Sequence, residues 1–253
     1  MDIVIIGSGN VAAILGRKFR NAGHRIVQVV GRNSAAASAL AYEFDTVSTN
    51  YNGPITRSAD VYLIAVSDHA MDDVIDDLHL KDKVVAHTAG SVPMQVLKNV
   101  TDHYGVFYPL QSLRKDMKEL PAIPVYYDGS DELTKRTLRK LADSIAPGRV
   151  AEAGDDARLK LHVAAVIVNN FPNHLYALTE EYCRKEGLDF TQLLPLIEET
   201  TERLKTASAA DTQTGPAIRH DKETIQKHLT LLSDHPQLKN IYLLLTESIQ
   251  QGH

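Results

Sequence analysis

Met1-Asp2-Ile3-Val4-Ile5-Ile6-Gly7-Ser8-Gly9-Asn10-Val11-Ala12-Ala13 opens the chain. An apolar run, Ile3 to Ile6, passes straight into a glycine turn, and the turn opens a helix predicted over Val11–Asn21. Strand, G-x-G-x-x-A and helix, in that order, make the dinucleotide-binding fingerprint. Each small residue has a physical role. Gly7 permits a tight turn off the strand, Gly9 leaves room for a pyrophosphate against the backbone, and Ala12 lets helix and strand pack closely. The N–H groups around Ser8, Gly9, Asn10 and Val11, with the positive end of the helix dipole, would face the phosphates. The same residues would also make a ligand-free strand-to-helix turn, and the position between a strand and a helix favours the nucleotide.

Outward from this turn, strands and helices alternate. Strands are predicted at Arg25–Val30, Val61–Val66, Val84–His87, Val106–Tyr108 and Val125–Tyr127, with an edge strand at Arg149–Glu152. Helices are predicted between them at Ala35–Phe44, Met71–Leu78, Val92–Val100 and Leu133–Ile145. Such alternation implies an α/β, doubly wound, mostly parallel sheet. The pattern changes near Gly154-Asp155. Beyond it the sequence reads as helices only: a long run over Leu159–Lys185, then Phe190–Leu204, kinked or ended by Pro195, then Glu223–Leu232 and Leu238–Ile249. The expectation is a Rossmann domain at 1–154 and an all-α domain at 155–253.

The second strand ends in Val30-Gly31-Arg32-Asn33-Ser34. A site for NAD usually places Asp or Glu there, to bind the ribose hydroxyls, and the nearest carboxylate is Glu43, well inside a helix. Arg32 can instead grip a 2′-phosphate and stack on adenine, with Asn33 and Ser34 donating to the same group. The missing acid and the arginine point to NADP. A solvated Arg32 and a merely helix-capping Ser34 are the bland alternative.

Ligands of such sheets bind beyond the carboxyl ends of the strands. That edge holds Val66-Ser67-Asp68-His69, then His87-Thr88-Ala89-Gly90-Ser91, then Tyr108-Pro109-Leu110-Gln111-Ser112. Val66, Ser67, Ala89 and Gly90 are expected beside the nicotinamide, with His87 as a candidate catalytic group or a hydrogen-bonded core histidine. A second constellation lies on the long helix. His162, Val166, Asn169 or Asn170, and Asn173 share one stripe of an otherwise apolar helix. Asn169-Asn170 followed by Pro172 conflicts with helix propensity, and such conflicts mark functional sites. His162 can exchange the proton that accompanies hydride transfer, and Asn170 can orient a carbonyl or carboxylate. A buried polar network fixing a helix or subunit contact would use the same residues. Thr214-Gly215-Pro216-Ala217-Ile218-Arg219-His220-Asp221 is a third polar segment, where Arg219 could anchor an anion.

Composition narrows the rest. The chain has 253 residues and a net charge of −5, with no basic run to suit nucleic acid. No stretch is apolar for the roughly 18 residues a membrane span needs, and no basic segment precedes the first strand as in a signal peptide. Cys183 is the one cysteine, so no internal disulfide can form, and its helical setting suits packing. These features predict a cytoplasmic protein; no metal site is assigned.

The fingerprint, His87-Thr88-Ala89-Gly90-Ser91-Val92-Pro93, Gly105-Val106-Phe107-Tyr108-Pro109-Leu110-Gln111, Leu161-His162-Val163-Ala164-Ala165 with Asn169-Asn170-Phe171, and Gly215-Pro216-Ala217-Ile218-Arg219 follow one another in an order that resembles a known family. The chain resembles the Rossmann-like proteins with a C-terminal domain of unknown function 2520, which are labelled NADP oxidoreductases. It is more distantly similar to pyrroline-5-carboxylate reductase, matched by Thr214-Gly215-Pro216-Ala217, and to the 6-phosphogluconate and β-hydroxyacid dehydrogenases. The resemblance implies a homodimer built through the helical domain, a site between the domains and a small-molecule substrate. It does not imply the hydroxyacid dehydrogenases' proton step. Those enzymes place asparagine four residues after a helical lysine, and here Lys160 is followed at that spacing by Ala164. Either an NADP-dependent oxidoreductase acting on a small carbonyl or imine, or a non-catalytic NADP(H)-binding sensor, is consistent with these residues.

Overall fold

The computed structural model describes residues 1–76 and 78–252. The chain divides into two compact units, Met1–Ile167 and Val168 onward. The first unit is built on an eight-stranded sheet. Its strands are β1 (Asp2–Ile6), β2 (Arg25–Val30), β3 (Val47–Thr49), β4 (Val61–Ile64), β5 (Val84–His87), β6 (His103–Pro109), β7 (Val125–Gly129) and β8 (Val150–Glu152), in the spatial order β3-β2-β1-β4-β5-β6-β7-β8. Every neighbouring pair is parallel except β6 and β7. Helices α1 (Asn10–Asn21), α2 (Ser34–Glu43), α3 (Met71–Ile75) and α4 (Glu132–Ile145) alternate with the strands, and α5 (Asp155–Ala165) follows β8.

The central strands are apolar on both faces because both faces are covered. Ile3, Ile5, Leu63 and Phe107 pack with Leu15 and Phe19 of α1 and Leu138 and Leu141 of α4. Val4, Ile6, Tyr62 and Ile64 pack on the other side with Met71, Val74 and Leu97. The parallel register then fixes where ligands can sit. Ile6 stands beside Val30 and Ile64, Ile64 beside His87, and His87 beside Val106. Gly7, Gly31, Val66 and Thr88-Ala89-Gly90 therefore leave the sheet along one edge, where Tyr108 lies near the end of β6.

The expected elements depart from the structure where backbone groups are already engaged. The turn expected as helix Val92–Val100 is a 3-10 segment, Met94–Asn99. The Val92 carbonyl accepts from Arg158 and the Met94 N–H donates to Asp155, so the segment is tied to α5 at its start. The helix expected over Met71–Leu78 is α3, preceded by a 3-10 turn at Asp68–Ala70; its Asp77 lies outside the described residues. Strand β3 was not expected, because Val47–Thr49 is too short to show alternation.

Gly154-Asp155 marks the change from strands to helices, while α5 is counted with the first compact unit. The second unit is helical: α6 (Phe171–Glu186), α7 (Leu194–Arg203), α8 (Lys222–Leu231) and α9 (Pro236–Gly252). The long helix expected at Leu159–Lys185 is interrupted by a π-helical turn at Val166–Asn170. Pro172 has no N–H for the Val168 carbonyl and its ring would crowd that oxygen, and the wider turn relieves both. Pro195 sits in the first turn of α7, after a 3-10 turn at Phe190–Leu193, where its missing N–H costs nothing. Among the described residues no helix is long and apolar enough to cross a membrane.

Candidate functional site

The glycine turn has two contrasting halves. Gly7 adopts φ +131°, and a Cβ there would lie 2.1 Å from the Ala65 carbonyl oxygen. Its N–H donates to the Val30 carbonyl at 2.7 Å. Only glycine fits this closure. Gly9 is exposed, and nothing lies within 4 Å of the place its Cβ would take. Gly9 is also the N-cap of α1, with no side chain capping the first turn. An open, uncapped helix start above an empty Cβ position is what a diphosphate requires. The residues present thus fit a dinucleotide phosphate. Ser8 is half-buried, its Oγ 3.2 Å from where a Cβ on Gly31 would stand. Val11 is half-buried and packs on the core, leaving its backbone for the turn. The Asn10 side chain is engaged elsewhere, accepting from the Lys115 N–H at 3.0 Å.

At the end of β2, Arg32, Asn33 and Ser34 are all exposed. Asn33, rather than Ser34, caps α2, its Oδ1 accepting from the Ala36 N–H at 3.0 Å. Ser34 is the first helical residue, and its hydroxyl makes no recorded hydrogen bond among the described residues. The Arg32 guanidinium lies 3.8 Å from Asp73 of α3, a loose pair between exposed groups. An apolar recess formed by Ile6, Val30, Tyr51, Ile55, Val74 and Leu78 opens nearby on the same sheet edge.

Further along the edge, Val66 is half-buried and Ser67 and Asp68 are exposed. Asp68 accepts a hydrogen bond from Ser91 Oγ, tying the ends of β4 and β5. Ala89 and Gly90 are buried. His87 has no exposed surface. Its Nδ1 accepts from the Ala89 N–H at 3.2 Å, so its proton sits on Nε2, which faces the Pro93 backbone without a well-formed hydrogen bond. Burial, aided by the positive charge of Arg158, pushes the imidazole down to about 4. His87 is therefore a neutral, internal group rather than one that exchanges protons near pH 7.

His162 is the second histidine of this edge. It lies half-buried on α5, with Nδ1 at 3.1 Å from the Tyr108 hydroxyl at the end of β6, and the two rings meet edge-on with centroids 6.2 Å apart. Gly90 makes the contact possible: a Cβ there would stand 2.7 Å from His162 Nδ1 and 3.0 Å from Tyr108 Cε2. Burial pushes the Tyr108 phenol up, so the hydroxyl keeps its proton and can donate to Nδ1 or accept from it according to the His162 tautomer. The reading of the sequence placed Tyr108 at a strand end without giving it a role. It missed Arg158 altogether, since an arginine among Asp155, Asp156 and Lys160 reads as a solvated helix face. Yet Arg158 is 1% exposed and ion-paired to Asp155 at 2.8 Å.

In the second unit, Asn169, Asn170, Asn173 and His174 are exposed, and the first two lie in the π turn. Helical turns of this kind concentrate at functional sites. In the third segment Gly215 has φ +106°, His220 has φ 52°, and Asp221 caps α8 by accepting from the Thr224 N–H. Turn and cap chemistry account for these three; Arg219 makes no recorded side-chain bond among the described residues.

Comparison with known proteins gives two family matches. Residues 123–249 match the domain of unknown function DUF2520, and residues 2–89 match a family described as NADP oxidoreductase coenzyme F420-dependent. Among solved structures, a putative NADP oxidoreductase from Bacteroides fragilis is 35% identical with a TM-score of 0.91, covering 99% of this chain and 98% of that one. A reductive aminase from Aspergillus terreus, solved with NADPH and ethyl-5-oxohexanoate, is 16% identical with a TM-score of 0.70, covering 99% of this chain and 92% of that one. A 1-pyrroline-5-carboxylate reductase from Streptococcus pyogenes is 13% identical with a TM-score of 0.60, covering 99% and 98%. The last two show a shared fold. No curated protein matches.

Proposed function

Because the chain belongs to the NADP oxidoreductase family that carries a C-terminal DUF2520 domain, we propose that it is an NADP-dependent reductase of a small carbonyl or imine compound. The observation that carries this reading is the Tyr108–His162 pair, set against Gly90 on the ligand-binding edge of the sheet. When bound, NADPH supplies a hydride from its nicotinamide ring. Gly7, Ser8, Gly9, Asn10 and Val11 cradle its diphosphate through the open start of α1. Arg32 takes the 2′-phosphate, exchanging its loose contact with Asp73 for a doubly charged partner, with Asn33 and Ser34 at hand. Val66, Ser67, Ala89 and Gly90 line the nicotinamide end.

Reduction of a C=O or C=N bond needs one proton at oxygen or nitrogen for each hydride at carbon. As an imidazolium His162 would deliver it from Nε2 and remain as the neutral ring protonated at Nδ1, with the Tyr108 oxygen accepting from that N–H. His87 acts through its neighbours, holding the Ala89 N–H and so the course of the backbone into Gly90. Asn170 is proposed as a ligand of the substrate's polar group, on the strength of the π turn that presents it. On this reading residues 1–154 hold the nucleotide, and residues 155–253 serve substrate binding and homodimer formation in the cytoplasm. Exposed Val163, Ile167, Val168 and Phe171 support a protein partner for the helices.

The test is NADPH oxidation over a panel of keto acids, cyclic imines and ketone–amine mixtures, with His162→Ala, Tyr108→Phe and Asn170→Ala compared with wild type. Turnover that falls with His162→Ala is expected; turnover indifferent to it would refute the role. Arg32→Ala should abolish preference for NADPH over NADH, and equal binding of both by wild type would overturn the cofactor assignment. A sensor without turnover is the second reading. Lys160 favours it, because it is exposed and bonded to Asp156 rather than directed to the site. NADPH binding with no oxidation across the panel would support it.

A further inference from the structure

The largest fully buried side chain among the described residues is a cation, Arg158. Its guanidinium has five donors. Only Nη2 is used, donating to the Val92 carbonyl and to Asp155 Oδ1, while Nε and Nη1 have no partner. Keeping such a group inside without full pairing is costly. What depends on it can be followed bond by bond. Asp155 Oδ1 also accepts from the Met94 N–H at 3.2 Å. Arg158 and Asp155 therefore hold both Val92 and Met94, on either side of Pro93, against the first turn of α5. Gly90 begins the same loop, and its absent Cβ is the space that His162 and Tyr108 occupy. His162 stands one turn after Arg158 on the same helix face.

We infer that Arg158 is a positioning residue: by clamping the Val92–Met94 loop onto the start of α5, it sets the contact between Tyr108 and His162. Geometry is what the guanidinium contributes: its longer, planar head carries Nη2 to a carbonyl and a carboxylate at once, a reach that the shorter and flexible lysine stem lacks. The charge has its own consequences. Arg158 works against protonation of His87 and favours ionisation of Tyr108, while Asp68 opposes it at both and Asp155 opposes it at His87. The inference deepens the reading of His162 as the proton donor and rests on it for its functional meaning, but not for its geometry.

The experiment is imidazole nitrogen NMR on the full chain without ligand, for wild type, Arg158→Met, Arg158→Lys and Tyr108→Phe, with His162→Gln assigning the signal. Wild type is expected to show His162 in a single tautomer with Nδ1 hydrogen-bonded to the Tyr108 hydroxyl. Arg158→Met and Arg158→Lys are expected to lose that signature and match Tyr108→Phe. A folded Arg158→Met protein with the wild-type His162 signal would overturn the inference. Retention in Arg158→Lys alone would overturn its geometric basis in favour of charge. If Arg158→Met does not fold, Asp155→Ala, which removes the carboxylate acceptor shared by Arg158 and the Met94 N–H, must shift the His162 signal in the same sense, and an unchanged signal overturns the inference. NADPH titration of the same samples keeps the two readings separate: loss of the His162 signature in a protein that never binds NADPH would remove the proposed function and leave the clamp standing.

Discussion

Acid should destabilise the first unit through His87 more than through any ordinary surface histidine. The imidazole has no exposed surface and titrates at about 4, against 6.5 for a free histidine, chiefly because burial penalises its charged form. The unfolded chain therefore takes up a proton that the folded protein does not. Stability from this group is fully present above about pH 6.5 and is lost as pH falls towards 4. Each unit of displacement corresponds to about 1.4 kcal/mol, so the loss is about 2 kcal/mol between pH 7 and pH 5 and about 3 kcal/mol by pH 4. Urea unfolding of wild type and His87→Asn at pH 7, 6 and 5 isolates the effect, because the other histidines are common to both proteins. The wild type should lose about 2 kcal/mol more than the variant over that interval. Equal losses in the two proteins would refute the account, and would mean that the imidazole is solvated or finds a partner for Nε2 when charged.

The two turn glycines should fail in opposite ways. Gly7→Ala forces a Cβ onto the Ala65 carbonyl at φ +131° and should cost at least about 2 kcal/mol in thermal or urea unfolding. Gly9→Ala has open space around it, so its stability should change by less than about 0.5 kcal/mol while NADPH binding, followed by fluorescence, weakens about tenfold or more. Gly90→Ala should remain folded and bind NADPH nearly as wild type does. Its Cβ would press on His162 Nδ1 and Tyr108, lowering turnover on any substrate found by about tenfold or more. Unchanged turnover there would count against the Tyr108–His162 pair.

The nucleotide end of the site is legible in the chain because its signals are local. Strand, glycine turn and helix follow one another without interruption, and Arg32, proposed to select the ribose, lies at a predictable distance after β2. The Tyr108–His162 pair is not legible in this way. Tyr108, at a strand end, and His162, on a helix beyond two further strands, meet only because the sheet order puts β6 beside β5 and because Gly90 leaves room between them. His87 and His162 look alike as letters, and only the fold makes His87 a fully buried, neutral imidazole while leaving His162 half-buried against Tyr108.

The conflict at Asn169-Asn170 and Pro172 was visible in the sequence, but its resolution as a π turn was not, since the helix can answer a proline by ending, kinking or widening. Arg158 gave no signal at all, because neighbouring charges disguise a buried cation as a solvent-facing turn. By itself the sequence determined an alternating α/β sheet with a dinucleotide turn at its first crossover, for apolar period and glycine placement act over a few residues. Tertiary structure alone decided which polar side chains are dry, which are paired and which meet, because those depend on contacts between segments far apart in the chain.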